Sequence, residues 1–558
     1  MNSEQPLAIG IDLGTTNSAI SVWRDGKAEL IPNALGEYLT PSVVSIDSEN
    51  TVLVGRAAQS RLITYPAQTV AAFKRFMGSG KQYALSGERY TPTELSSQVL
   101  LSLKRDAQAF LECDVSEVVI SVPAYFNDTQ RKEVALAAEL AGLNAVRLIN
   151  EPTAAAMSYS LHDKSDRRFL VFDLGGGTFD VTIVEYQDEI VEVRASAGDN
   201  RLGGEDFTEA LVRAVLLRLG KESDELDSQQ QNALYMACEQ AKCESRGGVS
   251  IVLPQLSEQS LIFSTTDLEK IWREPLQRLS KPLRQALSDA RIQPRDIDQV
   301  IYVGGATRLS AVQQVATRLL ERFGQNELNP DHVVALGAAT QAACRLRDEA
   351  VEELILTDVC PFSLGVKSNR DNQHDVFSPI IERNTTVPVS KVERFHTGHA
   401  QQKQVNIEVY QGERYWAKDN IYIDRLEVEV PAGEAGEEAI DIRFSYDING
   451  LLEVDVTVVS TGEKHQKVVD RTPAGTTEAE RATSQQRLAK LKHHPRDEQA
   501  NIVLSEFLHQ LYEEKLGDER RQIEQLITSF EEALNSQNKT HIFEQRRDIQ
   551  AVLKDYGY

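Results

Sequence analysis

The sequence has no run approaching the roughly 18 uncharged apolar residues of a membrane-spanning helix; its apolar stretch Leu211–Leu219 is broken by Arg213 and Arg218. Cysteine is scarce: Cys113, Cys238, Cys243, Cys344 and Cys360 make an odd count of five without a C-x-x-C pair. That argues against a disulfide framework and fits a reducing compartment. No histidine–cysteine cluster has zinc spacing. The opening Met1-Asn2-Ser3-Glu4-Gln5-Pro6 has no basic segment leading into an apolar one, so no secretory signal is expected and the expected location is cytoplasmic. Positive charge is also in deficit. Sixty Lys and Arg against 84 Asp and Glu leave a net −24, which speaks against nucleic acid or an anionic membrane as partner.

What is present is ordinary globular matter, 41% hydrophobic and 26% charged over 558 residues. The length exceeds what one core can serve, so about two to four domains are expected. Residues 1–350 alternate strand-like runs (Val118–Pro123, Phe169–Asp173, Val300–Val303) with helical patterns, an α/β texture. A short acidic and apolar segment, 351–358, follows. From 359 to 472 the pattern becomes short strands with turn signals, as in Val405–Tyr410, Ile440–Ser445 and Leu452–Val459. The segment 473–558 is polar and helix-rich, with apolar positions at helical spacing (Leu516, Ile523, Leu526, Ile527, Phe530, Leu534) that read first as the buried face of a small bundle.

The most informative feature is an internal repeat. Ile9-Gly10-Ile11-Asp12-Leu13-Gly14-Thr15-Thr16 recurs as Leu170-Val171-Phe172-Asp173-Leu174-Gly175-Gly176-Gly177-Thr178, each followed by a second apolar run, Ala19–Trp23 and Val181–Val184. The pattern predicts two β-hairpins, one from each of two similar lobes. Glycines let backbone amides approach phosphate oxygens, and successive N–H groups form an anion-binding concavity. The threonine hydroxyls add donors, and one Asp per hairpin can hold Mg²⁺ through its water shell. Each turn alone is an ordinary turn. Two in register with buried strands point to a triphosphate gripped from both sides. There is neither a G-x-x-x-x-G-K-[ST] loop nor a G-x-G-x-x-G after a strand, so P-loop and dinucleotide folds are unsupported. A third glycine turn, Tyr302–Arg308, follows an apolar strand and could line base and ribose, with Arg308 stacked on a purine.

In that order, hairpin, hairpin and adenosine loop resemble the actin-like ATPases. Further stretches make the resemblance specific to the seventy-kilodalton heat-shock chaperones, the DnaK family: Val122–Asp128, Ile149–Ala156, Leu202–Phe207, Arg383–Pro388, Tyr410–Arg414 and Asp447–Leu451. The short divergent tail looks closest to the HscC-type specialised branch. The fold implied is multidomain: an α/β actin-like two-lobed ATPase, then a β-sandwich, then a small α-helical lid. A sugar-kinase-type phosphotransferase and a polymerising actin-like protein share the ATPase fold, but neither needs the β-region and linker behind it.

The resemblance implies roles by position. Asp12 and Asp173 would organise Mg²⁺ and its waters, with K⁺ as a further candidate ion. Gly14, Thr15, Thr16, Asn17, Gly175, Gly176, Gly177 and Thr178 would contact ATP or ADP phosphates. Lys74 and Glu151 would flank the γ-phosphate and the attacking water, with Asp180 helping to place them. Gly203, Gly204, Glu205, Glu239, Lys242, Gly304, Gly305, Arg308 and Asp331 would form the adenosine site. Two departures stand out: Cys243 where the family offers an arginine to stack on adenine, and Ala306 where it offers a serine.

Pro123 and Arg131 resemble the family's switch, and Leu354, Ile355, Leu356 and Asp358 its interdomain linker. Three consecutive apolar linker residues suit a strand docked in one state and released in another. A J-domain co-chaperone would dock near Arg147, Asn150 and the linker; an exchange factor is a further candidate partner. Leu364, Val366, Phe395, Val405, Ile407 and Ile440 align with a channel for unfolded client polypeptides. Apolar residues at alternate strand positions also read as sandwich core, and both readings stay open here. The arch over the peptide falls on Asn369 and Gly398, a smaller and more polar pair than usual. The tail is short, and His494-Pro495 interrupts any long helical arm. Incomplete closure and fast exchange are expected.

Overall fold

The two repeated strand–Asp–turn segments fold as hairpins in two sheets of matching order. The computed structural model describes residues 7–47, 51–160, 166–187, 190–245, 247–253, 256, 260–324, 328–348, 351, 355–370, 373–447, 452–469 and 499–553. In the first sheet the order is Asn144–Asn150, Glu117–Val122, Ala8–Asp12, Asn17–Arg24, Lys27–Leu30. In the second it is Gln299–Val303, Arg167–Leu174, Phe179–Gln187, Ile190–Asp199, extended by Ile355–Val359 and Thr386–Val387. Each hairpin's first strand runs antiparallel to its return strand and parallel to its other neighbour. These strands read as continuous apolar runs because both faces are covered; Val118, Ile120, Leu170 and Phe172 are fully buried.

The helix Val333–Leu346 holds the halves together. Its small residues permit backbone contact: a Cβ on Gly337 would lie 1.8 Å from the Ala154 carbonyl oxygen of the helix Glu151–Ser160. Ser21 Oγ of the first hairpin donates to the Ala335 carbonyl at 2.6 Å, and Ser158 Oγ to that of Val333 at 2.8 Å.

Behind this body lie two four-stranded antiparallel sheets, Gln373–Ile381, Leu364–Arg370, Gln404–Gln411, Ile421–Glu429 and Val389–His396, Ala439–Tyr446, Leu452–Val458, Lys464–Val469. They share one core containing Leu364, Val366, Ile407, Ile440 and Phe444. Three helices, Gln499–Glu514, Gly517–Ser536 and Lys539–Leu553, close on a separate core of Leu504, Leu508, Ile523, Phe530 and Leu534. The helical stripe is therefore bundle core, except that Leu516, preceding its helix, is 77% exposed. Leu354 and His494-Pro495 lie outside the described residues. Among the described residues no helix is long and apolar enough to cross a membrane.

Candidate nucleotide site and its coupling to the two-sheet unit

Both glycine turns sit at the ends of buried strands, and they meet. A Cβ on Gly176 would lie 2.0 Å from Thr16 Oγ1, so only glycine lets the turns approach this closely. The first turn is braced by serines: the Gly14 N–H donates to Ser18 Oγ at 3.2 Å, and Ser42 Oγ to the Gly14 carbonyl at 2.8 Å. Thr15 is buried, while Thr16 and Asn17 are exposed to the cleft. The second turn closes on itself, Gly175 N–H to the Thr178 carbonyl at 3.1 Å. It is backed by the helix Gly204–Leu219, whose Gly204 and Glu205 N–H groups donate to the Gly175 and Gly176 carbonyls at 2.9 Å each. Gly203 stands just before that helix, against Gly176. Beside Gly177 runs Arg75, which crosses to Asp206 at 3.0 Å.

Four carboxylates and one ammonium line the space between. Lys74 Nζ pairs with Glu151 Oε1 at 2.9 Å, its side chain 3% exposed. Asp12 accepts from Ser121 Oγ at 2.7 Å. Burial, then the charge of Glu151, pushes the Asp12 carboxyl up to about 7 and the Asp180 carboxyl likewise to about 7. Asp173 is raised well above its ordinary range by burial, then by Glu151 and Asp180. Asp173 Oδ2 and Asp180 Oδ1 are buried without a hydrogen-bond partner among the described residues. Buried, unpartnered carboxyl oxygens whose ionisation is held back by burial and mutual repulsion are what a divalent cation relieves, so the residues fit Mg²⁺. Among the described residues no three His, Cys, Asp or Glu side chains form a metal site of their own, which suits an ion that keeps water and phosphate ligands.

The third turn follows the strand Gln299–Val303. Gly304 has φ 80°, and a Cβ there would lie 2.4 Å from the Leu174 carbonyl oxygen, tying this turn to the end of the second hairpin. Gly305 to Arg308 form a short 3-10 turn, and Arg308 reaches Asp331 at 2.5 Å. On the facing helix, Lys242 Nζ binds Glu239 at 2.6 Å and the Gly204 carbonyl at 2.9 Å. Glu205 touches the Tyr235 hydroxyl, and burial, then Glu239, pushes its carboxyl up to about 7. Cys243 is exposed, its thiol 3.4 Å from Glu239 Oε1. Ala306 is buried.

A family model described as Hsp70 protein matches residues 8–84 and 79–557, nearly the whole chain. The chain belongs to the Hsp70 family. As an Hsp70 it is a two-lobed actin-like ATPase that hydrolyses ATP with Mg²⁺ and acts as an ATP-dependent chaperone with client polypeptides and J-domain co-chaperones. Ser18, Ser42, Ser121, Arg75 and Tyr235, which brace the predicted residues, carry no local sequence signal of that role.

In this Hsp70 a hydrogen-bonded chain leaves the carboxylate cluster. Asp180 Oδ2 accepts from the Ala124 N–H at 3.0 Å, beside the buried Pro123. Arg131 donates to the Ala124 and Phe126 carbonyls at 3.2 and 3.0 Å, and to Asn150 Oδ1 at 2.6 Å. Asn150 Nδ2 donates to Asp358 Oδ2 at 2.9 Å. Local sequence places the arginine: Asn127 caps the helix Asp128–Leu140 with a capping box to Gln130, putting Arg131 in its first turn. Asp358 lies in the strand Ile355–Val359, which runs parallel to Ile190–Asp199 with Ile355 opposite Ile190 and Leu356 opposite Val191. Leu356 packs on the ATPase core. Burial raises the Asp358 carboxyl and lowers Arg147, whose charges attract one another.

The two-sheet unit docks through the Arg383–Pro388 stretch, to which the sequence reading assigned no contact. Arg383 makes a two-pronged pair with Asp289 at 2.9 and 3.0 Å, and Asn384 joins Asp289 and the Ser196 N–H at 2.9 and 3.0 Å. Leu364, Val366, Ile407 and Ile440 are buried in the shared core, and Phe395 and Val405 are half-buried against it. Asn369 and Gly398 are brought together on the surface, a Cβ on Gly398 lying 3.7 Å from Asn369 Nδ2.

Proposed function

We propose a specialised, fast-cycling cytoplasmic chaperone of the HscC type. Hydrolysis at the paired hairpins governs an incompletely lidded clamp for extended apolar segments. The observation that carries the coupling is the continuous chain Asp180–Ala124–Arg131–Asn150–Asp358, whose last member belongs to the docked linker. In this reading residues 1–350 are the ATPase, 351–358 the linker, 359–472 the peptide-binding sandwich and 473–558 the lid. Leu364, Val366, Phe395, Val405, Ile407 and Ile440 form the channel when the sandwich opens, under the arch Asn369–Gly398. Arg147, Asn150 and the linker meet the J-domain.

Asp12 and Asp173 would hold Mg²⁺ through its waters, and the bound ion would supply positive charge to the phosphates. Thr15, Thr16 and Gly175–Thr178 cradle the phosphates with backbone and hydroxyl donors. Lys74, held rigid by Glu151, supplies a fixed positive charge where the γ-phosphate develops negative charge. Asp173 Oδ2 and Asp180 Oδ1, without another partner among the described residues, would orient the attacking water. Because Asp180 Oδ2 also holds the Ala124 N–H, a change in its protonation or partner alters the same chain that grips Asp358.

Turnover measured with a J-domain protein and an extended apolar peptide, then with candidate sugars, tests this. Stimulation by peptide is expected; stimulation by sugar alone, or ATP-dependent sedimentable polymer, would overturn it. Two further outcomes are expected. Asp12 and Asp180, raised from 3.8 to about 7, hold protons in the folded chain that the unfolded chain has released, so stability without ligand falls as pH rises through that window. Mg²⁺ and ADP reverse this. Their thermal stabilisation should be larger near about pH 8 than near about pH 6; an equal shift at both counts against the carboxylate cluster. Cys243→Arg restores a stacking cation worth about 0.5–2 kcal/mol and should slow ADP release by roughly 2- to 30-fold. An unchanged off-rate in a stopped-flow chase counts against fast release through this gap.

A further inference from the structure

The strand Val389–His396 is outermost in its sheet and, among the described residues, pairs with Ala439–Tyr446 alone. An open edge presents unpaired N–H and C=O groups to any extended chain. At Val392 both groups are taken by one side chain: the Val392 N–H donates to Gln537 Oε1 at 3.2 Å, and Gln537 Nε2 donates to the Val392 carbonyl at 2.8 Å. A primary amide thus makes for one residue the two bonds that a neighbouring strand would make. Alternate residues of a strand direct their backbone groups to the same side, so those of Arg394 and His396 face outward with Val392. At the far end the intervening Thr397 N–H turns inward to the Glu438 carbonyl at 3.0 Å, and the Gly398 N–H is held by Gln402 Oε1 at 2.9 Å. Two glutamine side chains bracket a window centred on Arg394 and His396. Its length, about 13 Å, suits roughly four residues of extended chain.

The window is built for main-chain recognition. The Arg394 side chain is already neutralised by Asp441 of the neighbouring strand at 2.7 and 2.9 Å, which removes it as a site for an acidic group. Gln537 belongs to the bundle. It follows the helix Gly517–Ser536 in a left-handed conformation, φ 52°, its N–H on the Leu534 carbonyl at 3.2 Å. The bundle has its own core, so it can move as a body.

We propose that Gln537 is a removable edge cap. It attaches the helical bundle to the two-sheet unit at Val392 and competes with an extended polypeptide for the same backbone groups. A longer segment adding to the strand makes more main-chain bonds than one amide and displaces the cap. Client entry and release of the bundle at this point become one event. The inference rests on the peptide-clamp reading above and adds a regulator to it.

Gln537→Asn tests it in the full-length protein. Asparagine tolerates the left-handed conformation and keeps the amide, but is one methylene too short. Gln537→Glu is the second variant; it keeps the acceptor but sets a carboxylate against the Val392 carbonyl. Either serves, given a thermal midpoint unchanged from the parent. Two quantities are read: amide hydrogen exchange at Val392, and affinity for a fluorescein-labelled heptapeptide with a Leu-Val-Leu centre, in ADP. Exchange should accelerate and affinity tighten, each by about tenfold, the scale of releasing two hydrogen bonds. Unchanged exchange overturns the cap. Accelerated exchange with unchanged or weaker affinity overturns the competition. A heptapeptide that binds neither parent nor variant overturns the clamp reading instead, and the competition with it, while Val392 exchange still reports the cap.

Discussion

Replacing Lys74 with methionine is expected to lower ATP turnover by about 10²- to 10³-fold, the usual cost of losing one preorganised charge at a developing anion. Methionine keeps most of the apolar stem, and the neighbouring Phe126 ring, 5.5 Å from Nζ, stays packed. What disappears is the cation paired with Glu151 and acting on Asp12 and Asp173. Glu151 then has no counter-charge at 2.9 Å. Nucleotide affinity should change far less, because the glycine turns and the Glu239–Lys242 pair remain. The check is single-turnover hydrolysis beside equilibrium nucleotide binding. Turnover within about fivefold of the parent would show that Lys74 does not act on the transition state.

Asp358→Ala is expected to abolish stimulation of hydrolysis by peptide while basal hydrolysis stays within a few-fold. Asp358 ends the hydrogen-bonded chain, and its carboxylate holds Asn150 at 2.9 Å. Bonds to charged groups contribute about 1.5–3 kcal/mol, enough to shift a docked strand's population by more than tenfold. Asn150→Ala should have the same effect, and the double variant should be no worse than either single one, because both cut one path. Faster hydrogen exchange at Leu356, paired beside Val191, should accompany the loss. Stimulation that survives in both single variants removes the relay.

The Asp12 and Asp173 hairpins were legible in the sequence because local pattern dictates them: a run of apolar residues must be buried, and a glycine turn after an Asp leaves amides free. The order of α/β, β and helical segments was legible for the same reason. The departures at Cys243, Ala306, Asn369 and Gly398 could be named from the family resemblance, since each is a substitution at one position.

Tertiary structure alone decided what those residues meet. The contact of Gly176 with Thr16 joins positions 160 residues apart in numbering, and no periodicity specifies that distance. Ser121 on Asp12, Arg75 across to Asp206, Asp289 under Arg383 and Gln537 on Val392 are each chosen by where two independently folded elements dock. The raised carboxyls of Asp12, Asp173 and Asp180 belong to the same class, because an aspartate's protonation depends on burial and neighbouring charge. Short-range pattern chose the elements of this Hsp70; long-range packing set the distances, and with them the charge balance and the hydrogen-bonded path from Asp180 to Asp358.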